Sequence, residues 1–304
     1  MKFIDFCAGI GGGREGLERV GFEAIGFSEI NSKAEMVYRT LHDTSETNFG
    51  DLMKINPSDL PDFDLLIAGF PCQSFSILGK RKGLEDERGQ VISGIINILK
   101  CKLPKFFILE NVKGLVNIEN GNVLEEILKN LEEIGYDVKY KVLNSVLFGV
   151  PQKRERIYFV GSLKSLKLNY EFPQEIKQIN ACDFLTPEEK HLFNVNDTFL
   201  NYLKRNNANL DTLLQEENLI IDARQSDLRL YRGSFPTIRN GRQGLFYVKQ
   251  NKLYKLSGKQ ALQLQGFELN KLERLKNCTE TNLLSLAGNA MTANVIEKLA
   301  KNLL

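Results

Sequence analysis

Apolar residues in the first half of the chain follow two alternating rhythms. Short unbroken runs occur at Lys2 to Phe6, Glu23 to Phe27, Leu65 to Ala68 and Phe106 to Leu109. Runs of this length, closed by glycine, proline or acidic residues, read as strands with both faces buried. Between them lie stretches whose apolar positions recur with helical spacing: 32–41, Val91 to Leu99 and Val123 to Ile134. In the last of these, Leu124, Ile127, Leu128 and Leu131 share one face. Two further strands are predicted near 138–143 and 156–161. Strand–helix alternation predicts an α/β domain, a mostly parallel sheet covered by helices on both faces. After Gly161 the rhythm stops, and 163–220 is polar, Asn-rich and studded with leucine. Residues 1–168 are therefore expected to form one domain, with 169–282 a second, smaller and irregular one. A C-terminal helix, within 283–304, is expected to return to the first.

Composition narrows the chemistry. With 304 residues, 42% of them hydrophobic, a large core can form. No apolar run approaches a membrane span and no signal peptide precedes the first strand, so a cytoplasmic protein is expected. The five cysteines are odd in number and widely spaced, without a Cys-x-x-Cys pair. They support neither a zinc site nor a disulfide framework, and no metal is expected. The two histidines, His42 and His191, leave little room for Ser-His-Asp catalysis. Thiol, carboxylate and arginine remain.

Those groups cluster at predicted strand ends. The first strand runs into Cys7-Ala8-Gly9-Ile10-Gly11-Gly12-Gly13 and then a helical pattern. Glycines there let a ligand approach the backbone, and Gly11, Gly13 and Gly16 fit the dinucleotide spacing Gly-x-Gly-x-x-Gly. The second strand ends at Ser28-Glu29, where a carboxylate is placed to accept from ribose hydroxyls. The third ends in Gly69-Phe70-Pro71-Cys72, with proline stiffening the exit and a thiol at its tip. A cysteine at that edge is a candidate nucleophile. The fourth ends in Glu110-Asn111-Val112. Farther on, 222–259 carries nine basic and two acidic residues with Tyr231, Phe235, Phe246, Tyr247 and Tyr254 interleaved, a composition suited to a phosphate backbone.

Taken together these residues resemble the C5-cytosine DNA methyltransferase family of bacterial restriction–modification systems. Asp5 to Gly12 resembles the family's cofactor loop, Gly69 to Ser76 its catalytic loop, Glu110-Asn111-Val112 its acidic motif and Gln152 to Arg156 its paired-arginine motif. Leu264-Gln265-Gly266-Phe267 and Gly288-Asn289-Ala290 match its last two motifs, all in the family's order. Cys7 stands where the family usually has Phe, Gly13 where a further aromatic often stacks on adenine, and Ile30 where an aromatic follows the acidic residue.

The resemblance implies a Rossmann-like S-adenosylmethionine-dependent methyltransferase sheet with a smaller, irregular target-recognition domain. It implies Cys72 as the nucleophile, Glu110 as the acid, Arg156 as donor to the cytosine oxygen, and Arg154 orienting Glu110 or the base. The cofactor implied is S-adenosyl-L-methionine, bound by Phe6, Gly9, Ile10, Gly11, Glu29, Ile30, Asp51, Leu52, Pro71 and Asn289. The partner is double-stranded DNA with a specific short site, and the target base must be flipped out. Gln73, Ser76, Lys80, Arg81 and Lys82 would meet DNA from a loop over 77–88 that closes on binding. Thr237-Ile238 resembles the recognition region's Thr-plus-aliphatic pair, and Arg224, Arg229, Arg232, Thr237, Arg239 and Arg242 are candidate DNA contacts. A cognate restriction endonuclease, functional rather than physical, and a monomer are expected. Three other readings compete: a tRNA-directed member of the fold, a non-catalytic DNA-binding relative, and a nicotinamide-dependent oxidoreductase. The basic segment opposes the first, retention of Cys72, Glu110 and Arg156 the second, and Pro71-Cys72 the third.

Overall fold

The computed structural model describes residues 1–71 and 90–304. The chain divides into two compact units, the first made of Met1–Asn144, Glu155–Gln174 and Ala290–Leu304, the second of Ser145–Arg154 and Glu175–Asn289. In chain order the first unit opens with β1 (Lys2–Phe6), α1 (Gly12–Glu18), β2 (Glu23–Ser28), α2 (Ser32–His42) and β3 (Leu65–Gly69). It continues with α3 (Gln90–Lys102), β4 (Phe106–Val112), α4 (Asn122–Ile134) and β5 (Tyr136–Asn144). The chain then visits the second unit through β6 (Gln152–Lys153) and comes back as β7 (Glu155–Leu163). The rest of the second unit holds α5 (Asp197–Arg205), α6 (Leu210–Leu214), β8 (Ile220–Asp222), β9 (Arg229–Tyr231), β10 (Phe235–Pro236), β11 (Leu245–Lys249), β12 (Lys252–Lys255), α7 (Gly258–Gln263), α8 (Leu269–Leu272) and α9 (Glu280–Asn289). The last helix, α10 (Ala293–Lys301), belongs again to the first unit.

Among the described residues, six strands form the first unit's sheet, in the order β2-β1-β3-β4-β7-β5. β1 to β4 are parallel, and β7 runs antiparallel between β4 and β5. The reversal has a simple cause. The run 145–154 between β5 and β7 holds only a single 3-10 turn, Ser145–Leu147, and β6, and a parallel neighbour needs a longer crossover. Ile4, Phe6, Leu66, Ala68, Phe107 and Leu109 point to one face, into a core with Ile95 and Leu99 of α3 and Leu124, Ile127 and Leu131 of α4. On the opposite parity, Ile67 meets α1, which packs against α10. This double cover is why the central strands are continuous apolar runs.

The units divide the chain differently from the sequence-based boundaries at 168/169 and 282/283. Residues 145–154 go with the second unit because β6 pairs with β10, Gln152 opposite Phe235 and Lys153 opposite Pro236. Residues 169–174 stay with the first: Tyr170 is buried and its hydroxyl donates to the Leu299 carbonyl at 3.2 Å. Residues 283–289 lie in α9, which packs on α7 so closely that a Cβ on Gly258 would come within 2.4 Å of Leu283. A second sheet, β12-β11-β8-β9, is antiparallel throughout. Its apolar face packs on α5 through Phe199, Leu203, Phe246 and Val248. Among the described residues no helix is long and apolar enough to cross a membrane.

Candidate active site

Strand register brings the expected groups of the first unit to one edge of its sheet. Phe6 lies opposite Ser28 and Ala68, Gly69 opposite Glu110, and Val112 opposite Arg156. The carboxyl ends of β1 to β4 and the start of β7 therefore share that edge, where open α/β sheets bind ligands. Tyr158 is opposite Glu110, so Arg156, two residues along, is a diagonal neighbour of Glu110 on the same face. Arg156 Nε comes 3.0 Å from Glu110 Oε1, and both side chains are largely buried. Arg156 also donates from Nη1 to the Glu155 carbonyl at 2.8 Å.

The exit of β3 is anchored. Phe70 is buried, and its carbonyl accepts from Asn111 Nδ2 at 3.0 Å, while Pro71 is exposed. Asn111, itself 1% exposed, ties the end of β4 to the residue before Pro71. The acidic motif contains Asn111, but nothing in its sequence context revealed this bond. Cys72, Gln73, Ser76, Lys80, Arg81, Lys82 and the loop over 77–88 lie outside the described residues.

Around the glycine loop the expected residues divide into two kinds. Phe6, Ile10 and Leu52 are core side chains, Leu52 packing against α3, so they can offer the edge only backbone. Gly9, Gly11, Glu29, Ile30 and Asp51 offer more. Gly9 and Gly11 have φ of +57° and +83°. A Cβ on Gly11 would sit 2.3 Å from His42 Nε2, so glycine is required there for shape and space alike. Glu29 Oε2 accepts from Gly9 N and Oε1 from Asn31 N, each at 2.7 Å. A carboxylate has further lone pairs beyond these two bonds. Ile30 is 76% exposed. Asp51 caps the turn Leu52–Lys54, accepting from Met53 N at 3.0 Å.

Two departures from the family pattern acquire physical explanations. A side chain on Gly13 would collide with Met291 Cε at 2.7 Å and Ile67 Cδ1 at 2.8 Å. The space beside Gly13 is filled by side chains of β3 and the segment before α10. Cys7 is no rival nucleophile: burial, with the Glu29, Asp5 and Asp51 carboxylates adding to it, pushes its thiol up to about 12.

In the second unit, Arg154 donates from Nη1 to the carbonyls of Gly288 at 3.1 Å and Ile238 at 3.4 Å. Within the first unit, Arg156 is the arginine that stands beside Glu110. The chain passes from one unit to the other between Arg154 and Glu155. The pair Thr237-Ile238 is held on β6. Thr237 Oγ1 donates to the Lys153 carbonyl at 2.7 Å, and Ile238 N to Gln152 Oε1 at 3.0 Å. Gln152, fully buried, donates onward to the Leu264 carbonyl at 2.8 Å. Asn289 is the exposed last residue of α9.

The arginines also separate. Arg224 grips Asp222 with two 2.7 Å bonds, donates to the Thr237 carbonyl at 2.9 Å, and has a side chain only 4% exposed. Burial opposes charge on Asp222, yet Arg224 holds its carboxyl below the ordinary value. Arg224 is therefore a strut rather than the exposed DNA contact expected from charge. Arg232 is paired with Glu216. Arg229, Arg239 and Arg242 are exposed; Arg229 lies opposite Asp222 across β8 and β9 and helps hold its carboxyl low.

With this geometry established, comparison with known proteins is decisive. The family described as C-5 cytosine-specific DNA methylase matches residues 1–304. The chain belongs to the C-5 cytosine-specific DNA methylase family. It is a DNA cytosine-5 methyltransferase. Type II methyltransferase M.HaeII of Haemophilus aegyptius is 38% identical over 318 residues, covering 100% of this chain and 92% of that protein. Type II methyltransferase M.NgoBI of Neisseria gonorrhoeae is 37% identical over 309 residues, covering 99% and 92%. The solved S. pombe Dnmt2 methyltransferase shares the fold, with a TM-score of 0.73 at 20% identity over 100% of this chain and 98% of that one. The Rossmann-like methyltransferase sheet expected from the sequence is the fold observed.

Proposed function

We propose that this methyltransferase modifies a cytosine flipped from a specific short site in duplex DNA, through a covalent adduct of Cys72. The observation that carries the reading is the Glu110–Arg156 pair on the edge where Phe70 and Pro71 leave β3 toward Cys72. Cytosine carbon 5 is a poor nucleophile until carbon 6 is attacked. The Cys72 thiolate adds to carbon 6, and Glu110 supplies a proton or strong hydrogen bond at ring nitrogen 3. Arg156 steadies Glu110 and faces the charge that builds on the exocyclic oxygen. Once carbon 5 carries the methyl group, its proton leaves and the thiolate is expelled, restoring the ring.

The residues around the glycine loop fit S-adenosylmethionine. No heavy atom lies within 4 Å of where a Cβ on Gly9 or Gly50 would be, so a ligand can come close to the backbone at both. Glu29 would hold the ribose hydroxyls, Ile30 would pack on adenine and Asp51 would meet its amine. Pro71 and Asn289 complete the expected set. When bound, the cofactor supplies an electrophilic methyl group.

For DNA, the exposed Arg229, Arg239 and Arg242 are the arginines for phosphate or guanine, and Thr237 faces the target from its seat on β6. Arg224 acts on DNA through Thr237. Arg224→Ala is therefore expected to relax site preference while leaving the slope of log affinity against log salt unchanged. Arg239→Ala or Arg242→Ala, if phosphate contacts, lower that slope by about one. Binding titrations at several salt concentrations check this, and a lower slope for Arg224→Ala would return it to the contact surface. A restriction endonuclease of the same specificity is the proposed functional partner, as the type II names of M.HaeII and M.NgoBI suggest.

The direct test is base-resolution mapping of 5-methylcytosine in unmethylated genomic DNA incubated with the protein and S-adenosylmethionine. Methylation is expected at one short sequence. S-adenosylhomocysteine is expected to raise the melting temperature and NAD to leave it unchanged. Unmethylated DNA beside methylated tRNA would overturn the DNA assignment.

A further inference from the structure

The segment 47–51 follows α2 and runs beside the end of β2 into the Asp51 turn, and its sequence singles out only Asp51. Its backbone is zipped to β2 by two bonds, Phe27 N to the Thr47 carbonyl at 3.1 Å and Phe49 N to the Phe27 carbonyl at 2.7 Å. The bridge ends at Phe27 and Asn48. Beyond it, the Asn48 side chain takes over. Its Oδ1 accepts from Glu29 N at 3.0 Å and from Gly50 N at 2.9 Å, and its Nδ2 donates to the Glu29 carbonyl at 2.9 Å. Ser28 Oγ adds a 2.6 Å bond to the Gly50 carbonyl. One amide thus grips both polar groups of the Glu29 backbone and the amide before Asp51. The Glu29 carboxylate in turn accepts from Gly9 N and Asn31 N. Three segments, the glycine loop, the end of β2 and the Asp51 turn, are fixed to one another through Glu29 and Asn48.

We propose that Asn48 is the positioning residue of the adenosine site, setting Glu29 and Asp51 at the separation that lets ribose and adenine be held together. The inference rests on the reading that Glu29 and Asp51 bind S-adenosylmethionine. An amide suits the position because it offers an acceptor and donors on one rigid plane. Alanine removes all three bonds, and serine cannot span both sides. The backbone bonds of Thr47 and Phe49 to Phe27 do not depend on the Asn48 side chain, so its loss bears on the binding geometry more than on the fold.

The test is calorimetric binding of S-adenosylhomocysteine, with steady-state kinetics, on wild type, Asn48→Ala, Glu29→Ala and the double variant. Asn48→Ala is expected to raise the dissociation constant, and KM for S-adenosylmethionine, about tenfold or more, the range for hydrogen bonds lost with groups left unpaired. KM for DNA and kcat at saturating cofactor are expected to hold. The double variant is expected to lose less than the sum of the two single variants, because part of the Asn48 effect passes through the Glu29 carboxylate and the rest through Asp51. Unchanged affinity in Asn48→Ala, strictly additive losses, or a fall in kcat at constant KM would overturn the inference. Asn48→Ser carries the same expectation if the alanine variant does not fold. Wild type that fails to bind S-adenosylhomocysteine would overturn the cofactor reading, and this inference with it. Wild type that binds alongside an equally competent Asn48→Ala overturns the inference alone.

Discussion

Cys72→Ala is expected to stop methyl transfer while leaving DNA binding in place. The argument is chemical. Without addition to carbon 6, carbon 5 has no electron density to offer, and no other group in the catalytic motif can make a ring adduct. Cys7, the other thiol near this edge, is held neutral by burial and neighbouring carboxylates. Loss of a covalent nucleophile removes a whole route, so the fall in kcat should exceed roughly a thousandfold. A tritium-transfer assay with a gel-shift control separates chemistry from binding, and residual turnover within tenfold of wild type would remove Cys72 from the mechanism. DNA with 5-fluorocytosine at the target gives the complementary result. Fluorine cannot leave carbon 5 as a proton does, so a denaturant-stable adduct should accumulate with wild type and not with Cys72→Ala.

The second large effect belongs to Arg156. Its guanidinium is 3.0 Å from Glu110 in a largely buried setting. Removing one member of such a pair strands the other charge, costing about 3–5 kcal/mol when fully buried. Arg156→Ala is therefore expected to lower the melting temperature. At saturating substrates kcat should drop about a hundredfold to a thousandfold, as when a preorganised donor to developing charge is deleted. Arg156→Lys should recover part of the stability and little of the rate, because an ammonium lacks the planar fork that serves carboxylate and base at once. Glu110→Gln should match the loss in kcat, and it strands the Arg156 guanidinium in turn, softened only by the amide oxygen that can still accept from it. If Arg156→Ala turns over within threefold of wild type, the pair is structural.

What the sequence made legible, and what it hid, follows from range. β1, β3 and β4 were visible because burial on both faces makes them unbroken apolar runs, and their ends carry Glu110 and the approach to Cys72. Glu29 was visible for the same reason, one residue beyond β2. The different settings of Arg154 and Arg156 were not, because the chain changes unit between them. Charge counting placed Arg224 on the surface, but it could not see Arg224 fold back onto Asp222 two residues away. Gly13 suggested a gap that Met291, far along the chain, fills. The unit boundary depends on β6 pairing with β10, a contact between distant segments that no local pattern announces.

The packing of α1 on α10 also orders events during synthesis. Gly12 abuts the Met291 carbonyl and Gly16 that of Ala293, and Arg19 donates to Asn294 across 275 residues of chain. At ribosomal speeds that separation is on the order of tens of seconds. The helix behind the glycine loop lacks its α10 partner until the whole second unit has been translated. A nascent chain therefore completes its second unit before this face of its first sheet is covered, and an interrupted one is left without α10 on that face.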